Sequence, residues 1–152
     1  MTHNSELIFI RDNRVRVDAK VKDLVLWLNT FDGVETEYSC QGLSKEEQTS
    51  VNLTIKQYEK GRIVPHPNHV KDASFYPYVS FKCSSEESLK IIIDCIQRFQ
   101  GHYSSELTDT SEETFVCFDI SYDNQNKQLK YQLNMGNDKL PNSIVNFHTH
   151  SN

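Results

Sequence analysis

The sequence predicts an α+β fold, with two helices packed on one face of a mixed, mostly antiparallel sheet, as a single domain over residues 1–152. Three observations predict it. Two stretches, 18–31 and 85–100, repeat apolar residues at helical spacing. The runs between and after them alternate, or are rich in aromatic and β-branched residues, as strands are. The resulting order, ββαβ(β)βαβββ, leaves both helices needing the same sheet to bury their stripes.

Leu7 to Ile10 reads as a strand, Asp12-Asn13 as a turn, and Val15 to Val17 as a return strand. Asp18 is placed to cap the first helix, whose apolar stripe is Val17, Val21, Leu24, Val25, Leu28 and Phe31, and Gly33 ends it. The next strand alternates, with Val34, Thr36, Tyr38 and Cys40 on one side and Glu35, Glu37 and Ser39 on the other. The polar run LSKEEQTS after Gly42 has no periodicity and reads as a flap, Val51, Leu53 and Ile55 as a strand, and 56–74 as a long loop broken by Gly61, Pro65 and Pro67. FYPYVSFKC follows as a strand, and Ser84 with Glu87 forms a capping-box pair for the second helix. That helix buries Leu89, Ile92, Ile93, Ile96 and Phe99 and is closed by Gly101. Thr114 to Tyr122 and Gln128 to Met135 form a hairpin around DNQNK, and Ile144 to Phe147 is read as a last strand ending in HTHSN.

Apolar content of 37% and charge of 24% suffice for a core, on the polar side. A net charge of −5, with no Lys or Arg between Arg98 and Lys127, argues against a general grip on phosphate backbones and leaves any tRNA contact to the N-terminal half, where Arg11, Arg14, Arg16, Lys20 and Lys22 cluster. The start lacks a basic-then-apolar signal region, and no apolar run approaches the roughly 18 residues that span a bilayer, so the expectation is a cytoplasmic protein with no membrane partner. Cys40, Cys83, Cys95 and Cys117 lack a CxxC pair and read as small core residues, with no metal site assigned.

The chemistry-bearing stretch is TEYSCQG. Ser39, the Gln41 amide and the backbone N–H groups around Gly42 stand where strand pairing stops, so they are candidates for a polar nest that holds an anionic or amide-bearing ligand. Cys40 has no neighbouring His in sequence to activate it as a nucleophile. At the C-terminus His148 and His150, two apart on a strand, would share a face and a metal, as in the HxH of metal-dependent phosphoesterases and JAMM-type isopeptidases; Asp119, His66 and His69 are the remaining ligand candidates for such a hydrolase. PHPNH at 65–69 is read as a rigid turn, and Phe75, Tyr76, Tyr78 and Phe81 as core and edge packing rather than base stacking.

VDAKVKDLVLWLNTFDGVETEYSCQG resembles the opening of the wybutosine-synthesis methyltransferases, which carry an Asp, a helix ending in Asn, then Thr, Ser-Cys and Gly. YVSFKCSSEESLKIIIDCIQRFQG continues the resemblance, which covers 17–43 and 76–101, and the same motif also resembles small uncharacterised bacterial and phage proteins of SCxG type. That family reads Ser-Cys-Ser-Gly-Arg where this chain has Ser39-Cys40-Gln41-Gly42-Leu43, so the cation suited to an anionic tRNA or cofactor group is absent.

The resulting ligand-binding set is Thr36, Ser39, Cys40, Gln41 and Gly42, with no catalytic residue or particular cofactor assigned. The function expected first is a bacterial or phage accessory protein that holds a nucleotide-like small molecule or a protein partner there, with oligomeric state open. The resemblance implies, as the alternative, an S-adenosylmethionine-dependent tRNA-modifying enzyme.

Overall fold

The N-terminal hairpin forms, with its turn one residue earlier than the expected Asp12-Asn13. β1 (Ser5–Ile10) pairs antiparallel with β2 (Asn13–Asp18), and the two-residue turn between them, Arg11-Asp12, has φ of 48° and 70°. Two positive φ angles are what a type I′ hairpin turn requires, here without the usual Asn-Gly. A 3₁₀ turn (Ala19–Val21) then leads into α1 (Lys22–Leu28), and Gly33, at φ 75°, turns the chain into β3 (Val34–Cys40). The remaining elements are β4 (Tyr78–Cys83), α2 (Glu86–Glu106), β5 (Val116–Asp123), β6 (Gln128–Met135) and α3 (Leu140–His150). This computed structural model describes residues 4–44, 46–47, 76–106 and 115–150. The strand expected at Val51–Ile55, the 56–74 loop with His66 and His69, and Phe75 lie outside them.

The main sheet has the order β3-β4-β6-β5, and every ladder between described strands is antiparallel. Its inner face carries Val79, Phe81, Leu133 and Met135, all fully buried against Leu24 and Leu28 of α1, Ile92 of α2, and Leu140 and Ile144 of α3. Ile8 and Val17 of the hairpin join the same core. Burying a side chain of this size contributes about 1.5–3 kcal/mol, so the three helices and the sheet depend on one another. The open face is polar, with Lys82 and Lys130 flanking the Glu37 carboxylate at 3.6 and 3.4 Å.

The α+β class holds, but the expected helix count of two does not: the described residues contain three helices, the third where a last strand was expected. The Ile144–Phe147 run looks like a strand by itself. Its wider context is helical, because Leu140 and Ile144 recur at a spacing of four, Pro141 fits a helix's first turn, and Asn137 forms a turn just ahead of it, its Oδ1 accepting the Lys139 N–H at 2.9 Å. The mixed sheet would need a parallel ladder. β2 and β3 do run the same way, yet no ladder joins them.

Smaller expectations are also corrected. The stretch read as one helix over 18–31 is a 3₁₀ turn and a seven-residue helix. Ser85, not Ser84, caps α2, its Oγ accepting the Ser88 N–H at 3.2 Å, and that helix runs through Gly101 to Glu106. Ser44 and Glu47, in the run read as a flap, exchange reciprocal bonds of 3.0 and 3.2 Å in a capping-box arrangement, and the chain is helical at 46–47. No helix among the described residues is long and apolar enough to cross a membrane.

Candidate functional site

Between β2 and β3 lies a cleft of about 460 Å³, and its shape follows from how the two strands are held. At one end the Arg11 guanidinium donates to the Val34 carbonyl; at the other Gln41 N–H donates to Asp18 Oδ2 at 3.0 Å. Both ties span 23 residues, so the strands are parallel, pinned at each end and unpaired between. One wall is Asn13, Val15, Arg16 and Val17, the other Glu35 through Ser39, with Val25 of α1 behind.

β3 departs from simple alternation, which decides what enters the cleft. Its register with β4 slips between Thr36 and Tyr38, leaving Glu37 as an extra residue. Such a bulge reverses the faces beyond it. Val34 and Thr36 point to the core as expected, but Tyr38 and Cys40 turn to the open face, where Tyr38 is 68% exposed, and Ser39 faces inward opposite the buried Val79. The expected grouping of Val34, Thr36, Tyr38 and Cys40 on one side is therefore overturned.

The Ser39–Gly42 loop is not the free polar nest its position suggested. Asp18, freed from helix capping, takes the Gln41 N–H, while Gln41 Oε1 accepts the Lys20 N–H at 3.3 Å and the side chain is buried. Gly42 N–H points to Cys40 Sγ at 3.4 Å. Gly42 has φ 72°, and a Cβ there would sit 2.6 Å from the Pro77 nitrogen, so the close approach is to the chain's own backbone. Burial, and then the nearby Asp18 carboxylate, push the Cys40 thiol above its ordinary value, opposite to what a nucleophile needs.

Thr36 is likewise engaged: its Oγ1 accepts from Asn29 Nδ2 at 2.8 Å and its N–H donates to Asn29 Oδ1 at 3.4 Å, which ties the end of α1 to β3. The five predicted residues thus divide. Thr36 and Ser39 line the cleft, whereas Cys40, Gln41 and Gly42 build its closed end. Sequence reasoning missed Arg11, Asn13, Arg16 and Tyr38 as a group, because only the fold brings the hairpin beside β3. The N-terminal Arg cluster was the available signal.

His148 and His150 do not share a strand face. They lie on α3, where positions two apart are rotated by about 200° around the axis. The His148 ring stacks on Trp27 with centroids 5.3 Å apart, its Nε2 is buried without a hydrogen-bond partner, and burial lowers its pKa. Asp119, on β5, accepts from Asn134 Nδ2 at 2.5 Å. Among the described residues no three His, Cys, Asp or Glu side chains gather as a metal site would need. No protein-family model, curated protein or solved structure matches this chain.

Proposed function

We propose that this chain is a ligand-binding protein and that the β2–β3 cleft takes a small, flat, anionic molecule of nucleotide-like kind. The observation that carries this is the gathering of Arg11 and Arg16, hydrogen-bonded to the Val34 carbonyl and Ser5 Oγ but ion-paired to no described carboxylate, with the exposed Tyr38 ring along one cleft of about 460 Å³. Small-molecule sites commonly span about 300–1,000 Å³, and guanidinium groups grip phosphate or carboxylate oxygens in pairs. The pinned ends favour a compact ligand over a through-running peptide strand. Asn13 and Ser39 supply neutral polar groups to orient it, and Val17 and Val25 supply an apolar floor.

Calorimetric titration with AMP, ADP, S-adenosylmethionine and inorganic phosphate tests this reading. Saturable binding of a nucleotide, weakened about tenfold or more by Arg16→Ala and by Tyr38→Ala, is the expected result. No heat from any of the four, or binding that both variants retain in full, would count against the cleft. Preference for S-adenosylmethionine would favour the tRNA-modifying reading.

A further inference from the structure

The outward face of the N-terminal hairpin carries a second feature, which shares only Arg16 with the cleft. The β1–β2 register places Leu7 opposite Arg16 and Phe9 opposite Arg14, so these four share one face, while Ile8 and Val17 point into the core. Leu7 is 49% and Phe9 68% exposed, and the Arg14 guanidinium lies 5.9 Å from the Phe9 ring centroid. An exposed Phe beside Leu loses free energy to water unless something covers it.

Charge says what that cover is. Lys20, Lys22, Lys82, Lys90, Arg98 and Lys130 each stand within 4.0 Å of a carboxylate. The hairpin arginines do not: Arg16 donates to Ser5 Oγ, Arg11 to a backbone carbonyl, and Arg14 sits over Phe9, with no ion pair to a described carboxylate. Among the described residues of this chain of net charge −5, arginines without an ion pair thus stand beside the two exposed apolar side chains.

We infer that this face docks an acidic protein segment bearing large apolar side chains, its carboxylates on Arg14 and Arg16 and its apolar groups over Leu7 and Phe9. A long polyanion such as nucleic acid fits less well, since it would also feel the repulsion of the chain's net negative charge and has no aliphatic groups to meet Leu7. Arginine and aromatic side chains placed together are the residues that most often dominate protein interfaces. The docking face meets the cleft only at Arg16, since Leu7, Phe9 and Arg14 do not line it.

Fluorescence anisotropy of a labelled peptide of alternating Asp and Leu tests it, beside a Lys–Leu counterpart and oligothymidylate. The Asp–Leu peptide is expected to bind saturably and less tightly as salt rises, with Phe9→Ser and Arg14→Glu each weakening it about tenfold or more while thermal stability is kept. Arg14→Lys should fall between. No saturable binding, equal binding of the Lys–Leu peptide, tighter binding of oligothymidylate, or indifference to Phe9→Ser would each overturn the proposal. So would a dimer in sedimentation that Phe9→Ser dissolves, which would give the face to a second copy of the chain. Nucleotide titrations of the Phe9 and Arg14 variants keep the two sites separable, since cleft binding should be unchanged.

Discussion

A methyl group is enough to separate two glycines that look alike in sequence. At Gly42 it would meet the Pro77 nitrogen at 2.6 Å and the Tyr76 carbonyl carbon at 2.7 Å, on a residue with φ 72°, so Gly42→Ala should cost about 2–4 kcal/mol. At Gly101, inside α2, it would meet nothing within 4 Å, and Gly101→Ala should gain about 0.5–1 kcal/mol. Thermal melts of the two variants should move in opposite directions. His148 gives a pH effect with a definite sign. Its folded pKa lies below the ordinary 6.5, mainly through burial, so the two states bind protons equally well above that pH. As pH falls through 6.5 the unfolded chain takes the proton first, and stability falls until the folded pKa is passed. His148→Phe, which keeps a ring against Trp27 but cannot titrate, should flatten the change in urea midpoint between neutral and mildly acidic pH. At this scale the importance of Gly42 was legible from sequence, but not its cause. A turn glycine announces a close approach without saying whether a ligand or Pro77 makes it.

Among the elements, α1 depends most visibly on its neighbours. A seven-residue helix is marginal alone, and Asn29 secures its end by donating to the Val25 carbonyl at 2.7 Å and to Thr36 Oγ1 at 2.8 Å. Asn29→Ala removes these bonds and leaves the half-buried Thr36 hydroxyl and N–H unmatched, so it should cost about 1–2 kcal/mol in urea unfolding. Thr36→Val should recover part of that loss in the double variant, because the orphaned hydroxyl goes with it. β3, β4, α2 and the β5–β6 hairpin were legible from periodicity and turn residues, and the first hairpin from its strands, though its turn falls at Arg11-Asp12 rather than Asp12-Asn13. The bulge at Glu37 was not, since a one-residue slip is defined by the partner strand and leaves no mark in the strand's own sequence. α3 was misread for a different reason. A run of four with three apolar residues, Ile144, Val145 and Phe147, fits either state, and Pro141 and Asn137 upstream held the information that decides it.

For the molecule as a whole, one core joins the hairpin, three helices and the four-stranded sheet, with Ile8, Leu24, Phe81, Ile96, Leu133 and Ile144 all members. No element buries its stripe independently, so unfolding should be a single cooperative step, with matching transitions by far-ultraviolet circular dichroism and Trp27 fluorescence. Two separated transitions would contradict that. The pinned, unpaired approach of β2 to β3 has one more consequence, for solubility. Among the described strands β3 lies at the edge of its sheet, and an open edge is a template on which further chains can stack. The hairpin lies along that edge and obstructs it without satisfying it, held by Arg11 at one end and Asp18 at the other. It is a guard rail, and loosening it by Arg11→Ala with Asp18→Ala should show as concentration-dependent light scattering at temperatures where the chain is still folded.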